Sequence, residues 1–310
     1  IWLVRSKKMA TGILLAVVAL PIVDGLRFNS RFIGVSDPND YFSPNPITQY
    51  LAANGKESRA LNLTNPKDDV LPHQRIDVPV GYHGNQLRWY DDLIGSIEIR
   101  NIYNPRLLNL LGVKYLINET GRDIPPNFLG SAPVSVVNQY GQTQLVRNDN
   151  AFPRVFLAGQ YKVITDRQQI YPAVLEGSED LRQLVYLEEE PGMTIAPSAA
   201  ADDSAWVVSR GTDQVTVGVK ASSAQLLVMT ETWFDAWQVA IDGQPAKLLR
   251  SYGALRAVAV PAGAREVKFE FRSPRYATGK LLSGLALLLL VGVIGFYAVV
   301  AFKGRQVAAV

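Results

Sequence analysis

The chain has 310 residues, with 31 basic and 28 acidic side chains and a formal charge of +3. These charges are dispersed without any run of five like residues, so the electrostatic footprint of a nucleic-acid-binding protein is missing. Cysteine is absent and histidine occurs twice, which excludes disulfides, thiolate chemistry and cysteine-ligated metals, and leaves a zinc site dependent on carboxylates that show no ligand spacing.

Residues 9–23 (MATGILLAVVALPIV) are apolar, follow Arg5, Lys7 and Lys8, and stop at Asp24. The stretch is short for a membrane span, but snorkelling lysines and apolar residues 1–4 extend it. A basic head before an apolar run is also the pattern of a signal peptide. No small-x-small cleavage site follows Pro21, so a membrane helix is the preferred reading. The chain begins with Ile1 and not an initiator Met, and the expectation is that it is the tail of a larger membrane protein.

Residues 34–48 (GVSDPNDYFSPNPIT) are rich in proline, Asn, Asp and Ser and predict a turn-rich linker. A short helix is predicted over 47–54, ended by Gly55, then a strand over 59–63. His73 follows Pro72 in a polar stretch and is read as a loop residue. A helix is predicted over 86–94, with Leu87, Tyr90 and Ile94 on one side. Over 104–111, Pro105 marks a helix start and Gly112 a stop, and the apolar strand 113–117 follows, an α/β pattern. Strands are predicted at 143–147 and 154–157, and Asp166 caps a helix running to about residue 176.

The small-residue segment 191–204 (PGMTIAPSAAADDS) predicts a subdomain boundary. From residue 205, short alternating runs dominate: 206–209, 214–219, 225–230, 237–241, 246–249, 255–260 and 266–271. Asp242-Gly243 is a hairpin signal, and residues 261–263 (PAG) mark another turn. Strands this dense predict a β-sandwich.

The last strand leads through residues 273–275 into 281–302 (LLSGLALLLLVGVIGFYAVVAF), uncharged between Lys280 and Lys303. At about 1.5 Å per residue this makes a helix of roughly 33 Å, enough to cross a hydrocarbon core of roughly 30 Å. The fold class predicted is α+β, two transmembrane helices flanking an α/β subdomain and then a β-sandwich. The divisions fall at 1–26 (helix and flank), 27–48 (linker), 49–190 (α/β), 191–204 (linker), 205–273 (sandwich), 278–302 (helix) and 303–310 (tail). Charge does not orient the spans: Arg5, Lys7, Lys8, Lys303 and Arg305 on the terminal sides balance Arg27, Arg31, Arg272, Arg275 and Lys280 on the loop sides.

Two polar clusters carry candidate chemistry. The first is Tyr82, His83, Gly84, Asn85, Arg88, Trp89, Tyr90, Asp91 and Asp92. Here His83 offers a proton carrier, the paired Asp91 and Asp92 a binder of a divalent ion or a sugar hydroxyl, and Arg88 a bidentate donor to phosphate, with Tyr90 beside them. The bland reading is a turn at 81–84 and a solvated helix face, since two adjacent Asp residues point to different sides of a helix. The second is Trp233, Phe234, Asp235 and Trp237. Trp233 and Trp237 suit the apolar face of a sugar ring, with Asp235 accepting from hydroxyls, or alternatively serve as core or membrane-interface residues. No GxSxG, P-loop, GxGxxG or HExxH string occurs, and no catalytic residue is assigned.

Several segments in order carry a resemblance: RALNLT (59–64), GYHGNQLRWYDDLI (81–94), LLNLLGVKYLI (107–117), AFPRVFLA (151–158), and the run 226–271 continuing into SPRYATGKLLS. Together they resemble the C-terminal portion of the bacterial YfhO-like membrane proteins. Within 226–271, Trp233, Phe234, Trp237, Asp242, Gly243, Leu255, Arg256, Pro261, Ala262 and Gly263 fill the places of the family pattern, and Ala236 stands where the family usually has Gly. The resemblance implies a polytopic, GT-C glycosyltransferase-like protein of the cytoplasmic membrane that uses a polyprenyl-phosphate sugar donor at the outer face. It implies further that the region between the two spans is extracytoplasmic and shapes the acceptor side, towards an envelope glycan. The catalytic acid of such proteins lies in an early loop outside this sequence. The partners implied are the lipid bilayer, the lipid-linked sugar, the glycan and the missing N-terminal transmembrane helices, with no cofactor in this part. The alternative reading is a non-catalytic membrane module that binds glycan or a partner protein.

Overall fold

The computed structural model describes residues 7–34, 37–67, 69–81, 84–121, 124, 135–197 and 202–307, and the chain divides into Ile1–Asn45 and Pro46–Val310. The first unit contains α1 (Lys7–Asn29) and the one-turn helix α2 (Pro38–Phe42). α1 carries Pro21 within it and continues past Asp24, where the apolar run ends and a carboxylate brings neither a lost N–H nor a ring clash. Its Leu14, Leu20 and Leu26 are each more than 60% exposed, an apolar surface with no protein cover. The Asp37 carboxylate caps α2 by accepting the Asn39 N–H at 2.8 Å.

The second unit opens with α3 (Pro46–Asn54), β1 (Arg59–Asn62), α4 (Val70–His73) and α5 (Arg88–Ile94). His73 therefore closes a single helical turn and does not lie in a loop as the sequence predicts. Next come a 3-10 turn over Arg100–Tyr103, α6 (Pro105–Leu110), β2 (Val113–Glu119), β3 (Ser135–Tyr140) and β4 (Thr143–Arg147). Sequence explains α6 in detail. The Asn104 Oδ1 accepts the N–H groups of Arg106 (2.9 Å) and Leu107 (3.3 Å), Pro105 needs no donor at the first position, and Gly112 takes the left-handed φ of +66° just beyond. The strands form one sheet in the order β1-β2-β4-β3, with β1 and β2 parallel.

The remaining elements are β5 (Val155–Ala158), β6 (Gln160–Val163), α7 (Arg167–Glu176), β7 (Leu184–Leu187), β8 (Ser204–Arg210), β9 (Gln214–Lys220), β10 (Gln225–Thr232), β11 (Trp237–Ile241), β12 (Gln244–Ala246), β13 (Leu249–Ser251), β14 (Leu255–Val260), β15 (Glu266–Phe271) and α8 (Pro274–Val307). They build a six-stranded sheet, β5-β10-β14-β13-β7-β6, and a five-stranded sheet, β12-β11-β15-β9-β8. The run 246–249, predicted as one strand, is broken at Lys247-Leu248. There the chain crosses from the five-stranded sheet, where β12 pairs with β11, to the six-stranded one, where β13 pairs with β14. The segment 191–204 does not separate sheets: β5, β6 and β7 before it share a sheet with β10, β13 and β14 after it. Alternation identifies β5 as a strand, but its partner β10 lies far along the chain, so the α/β part and the strands after 205 appear separate in sequence and are joined in space.

Alternation places the two faces of the six-stranded sheet in different cores. Leu226 and Val228 of β10 and Leu255, Ala257 and Ala259 of β14 pack with α6 and α7 in the larger cluster. Leu227, Met229, Val258 and Val260 point the other way and join Val215, Val217 and Val219 of β9, Val239 and Ile241 of β11, and Val267 and Phe269 of β15. The two sheets thus share one apolar core. α8 follows β15 directly; its stretch Pro274–Tyr297 is 24 residues long, apolar and uncovered by protein.

Asn104→Ala removes the α6 cap and also the bond from Asn104 Nδ2 to the Leu175 carbonyl (3.0 Å). Chemical unfolding should show a loss of about 1–2 kcal/mol, with Asn104→Asp, which keeps the cap alone, falling in between.

Candidate functional site

The core shared by the two sheets opens at one end. The row Leu227-Met229 on β10 continues to Glu231, the row Val260-Val258 on β14 to Arg256, and the row Ile241-Val239 on β11 to Trp237. Where these rows turn polar there is a cleft of about 600 Å³. Its other wall is the extended segment 77–81 with Asn85, Gln86 and the first turns of α5, and Arg59, Arg154 and Arg210 complete it. A register shift in the β10–β14 pair between Met229 and Thr232 marks the rim.

Charged groups dominate this wall. Glu231 Oε1 accepts from Arg154 at 2.8 Å and lies 3.4 Å from Arg59. Asp77 accepts from Arg154 and, at 2.7 Å through Oδ1, from Arg210. Arg59 also donates to the Thr230 carbonyl at 2.7 Å, to Thr230 Oγ1 at 3.2 Å and to the Leu111 carbonyl. Arg256 donates through Nε to the Thr232 carbonyl at 2.9 Å and stacks 3.8 Å over the Trp237 ring. Burial raises the Glu231 carboxyl, but the guanidiniums of Arg59, Arg154, Arg256 and Arg210 outweigh it and hold the group below its ordinary 4.5. Burial, reinforced by Arg59, brings Arg154 down to about 10.

Tyr90 and Asp91, two of the residues singled out by sequence, line the cleft with Trp237. The Tyr90 hydroxyl donates to the Pro79 carbonyl at 2.5 Å, and burial pushes its pKa to about 12, so it stays protonated. Asp91 Oδ1 is buried without a hydrogen-bond partner among the described residues, whereas Asp92 turns away and accepts from Gln168 at 3.3 Å. His83, with Tyr82, lies outside the described residues. Arg88 and Asp235 are exposed and do not line the cleft.

Trp233 belongs elsewhere. The Arg250 guanidinium sits 3.7 Å over its ring and 4.8 Å from that of Trp89, and the Trp89 indole donates to the Trp233 carbonyl at 2.9 Å. Arg250 itself faces Glu188 at 3.4 Å, which also binds Arg167 at 2.8 Å. Trp233 is therefore a packing residue in an aromatic and cationic stack.

Arg59, Asp77, Arg154, Arg210, Glu231 and Arg256 were not among the site residues expected from sequence, although Arg256 stands in the family pattern. A signal for two of them exists: Glu231 and Arg256 each put a charge where strand alternation calls for another apolar residue. Among the described residues there is no cluster of three or more carboxylates and histidines suited to a metal.

No family model and no curated protein matches this chain. Among solved structures there is a distant similarity to the arabinofuranosyltransferase AftD from mycobacteria, with 13% identity and a TM-score of 0.27. The match covers 87% of this chain and 34% of that one, so the chain spans about a third of its length. A score this low does not establish a shared fold, and the site is read from its own residues.

Glu231→Gln leaves the buried guanidiniums of Arg59 and Arg154 without their shared carboxylate. The expected loss is about 3 kcal/mol, the low end for a broken buried pair because Glu231 is partly solvated. A carboxyl with a lowered folded-state pKa contributes stability that is full above its ordinary 4.5 and is lost as pH falls through the folded value. Unfolding measured down an acid series should therefore lose part of its slope below pH 4.5 in Glu231→Gln.

Proposed function

We propose that this chain is the outer, acceptor-shaping part of a membrane-bound glycosyltransferase of the YfhO-like type, whose bond-making centre lies in helices outside this sequence. On this reading α1 and α8 cross the bacterial cytoplasmic membrane, the residues between them stand on the extracytoplasmic side, and the cleft takes an envelope glycan. The motif order supports the family. The two uncovered apolar helices, of 19 and 24 residues, are long enough for spans.

The cleft supports binding and not bond-making. Recognition of a glycan needs planar polar groups and an aromatic edge, and Tyr90, Asp91, Arg210 and Trp237 offer these in one concave surface. A general acid or base needs a carboxyl tuned towards neutral pH. Asp77 and Glu231 are instead locked by guanidiniums, and Glu231 is held ionised. The same observation favours a second reading, a glycan- or partner-binding module in a protein that transfers nothing.

A strain lacking the full-length protein separates these readings: loss of a sugar from the envelope glycans supports transfer, and an unchanged glycan profile supports the module. In the full-length protein Trp237→Ala should raise the KM for acceptor by up to about tenfold with kcat little changed. Trp233→Ala should show mainly as a stability loss of roughly 3–5 kcal/mol. The chain alone should not turn over a polyprenyl-phosphate sugar, and measurable turnover would refute the assignment of the catalytic centre to other helices.

A further inference from the structure

Arg256 is an anomaly in its strand. It occupies the face on which Val258 and Val260 supply apolar core, is only 5% exposed, and has no carboxylate within ion-pairing distance among the described residues. Its recorded partners are a backbone carbonyl, a ring face and the Met229 sulfur at 3.6 Å, the last a weak acceptor. Glu231 attracts this guanidinium only through space, from beyond ion-pairing distance, so Arg256 has no carboxylate in contact, whereas buried charges are otherwise paired. Arg59 and Arg154 differ, since both reach Glu231.

Arg256 is not sealed off, because it lines the cleft together with Arg210. Arg210 is the more accessible of the two, its side chain 35% exposed, and its recorded bond uses Nη2 to Asp77. The wall holds four guanidiniums, Arg59, Arg154, Arg210 and Arg256, against three carboxylates, Asp77, Asp91 and Glu231. Asp77 and Glu231 are bound by Arg59, Arg154 and Arg210, while Arg256 and Asp91 have no ion-pair partner among the described residues, which leaves the wall one positive charge in excess.

We infer that the cleft is an oxyanion site, in which a phosphate or carboxylate group of the ligand pairs with Arg256 and is guided in by Arg210, while the stacked Trp237 ring holds Arg256 in place. Burial, opposed by Glu231 and reinforced by Arg59, brings the Arg256 pKa down to about 10. The inference rests on reading the cleft as a binding site, and it deepens that reading by giving the ligand a negative charge. It does not depend on glycosyl transfer. A phosphorylated glycan and a uronate-bearing one share this chemistry.

The test uses the full chain in a non-ionic detergent, with unfolding followed while inorganic phosphate or glucuronate replaces chloride at constant ionic strength, so that general screening cancels. At least one probe should raise the unfolding midpoint in the concentration-dependent manner of a ligand bound to the folded state. Phosphate acting alone assigns a phosphate-bearing ligand, and glucuronate acting alone a carboxylate-bearing one. Arg210→Gln should weaken the effective probe roughly tenfold, and Arg256→Leu should remove the response, while Arg265→Gln on the exposed surface leaves it unchanged. If Arg256→Leu does not fold, Arg210→Gln decides. No shift with either probe, or a shift undiminished in Arg210→Gln, overturns the inference. A glycan phenotype without anion binding sinks this inference alone, and anion binding without a glycan phenotype sinks the transfer reading alone.

Discussion

The second unit depends on one charged network, in which Arg154 gives one nitrogen to Glu231 and another to Asp77. Around it, Arg59 of β1 reaches Glu231 of β10, and Arg210 of β8 reaches Asp77. These strands belong to three different sheets, so the network fixes how the sheets meet. A buried ion network is weak evidence of net stability, because desolvating guanidiniums costs about as much as pairing returns. Its effect is selective. Arg59 satisfies the Leu111 and Thr230 carbonyls only when β1 lies beside β2 and against β10, and a slipped arrangement leaves buried cations unpaired. Gly112 is part of the same junction: its left-handed turn brings the chain so near Phe152 that an added Cβ would lie 3.0 Å from that carbonyl oxygen.

The cleft follows from the same arrangement. Two sheets packed face to face bury apolar rows, and the rows could have run apolar to their ends. Glu231, Arg256 and Trp237 instead replace aliphatic residues at the last positions facing the gap. Local agreement between pattern and packing fails there, and such failures concentrate where a fold gives up stability for a site. The locked carboxylates keep the opening rigid. Asp91, with its unpartnered Oδ1, is the cleft carboxylate that no guanidinium holds among the described residues.

Sequence was most legible where the cause is local. Asn104, Pro105 and Gly112 bound α6 because each acts on backbone within a turn of itself, and the strands after 205 stand out through alternation. The six-stranded sheet was not legible, since β5–β10 and the parallel β6–β7 pair join segments whose patterns say nothing about their partners. The site shows the same limit. Tyr90, Asp91 and Trp237 were within reach through residue type and spacing, whereas Arg59, Asp77 and Arg154 become a site only when distant strands meet. Trp233 and Trp237 look equivalent in the motif, yet one precedes β11 and stacks on Arg250, while the other opens β11 and faces the cleft.

That position of Trp237 connects the cleft to the C-terminal helix. Trp237 pairs with Phe271 across β11 and β15, and their rings meet edge to face at 5.4 Å. Phe271 donates its N–H to the Asp213 carbonyl and Arg272 donates to that of Ala236, so the end of β15 is held on both sides. α8 begins almost at once, with the Ser273 hydroxyl accepting the Tyr276 N–H at 3.2 Å. Between the cleft wall and the apolar helix there is thus no slack chain, only paired strand and a capped first turn. Trp237, and the Arg256 stacked on it, are thereby tied to the start of α8 through paired backbone alone.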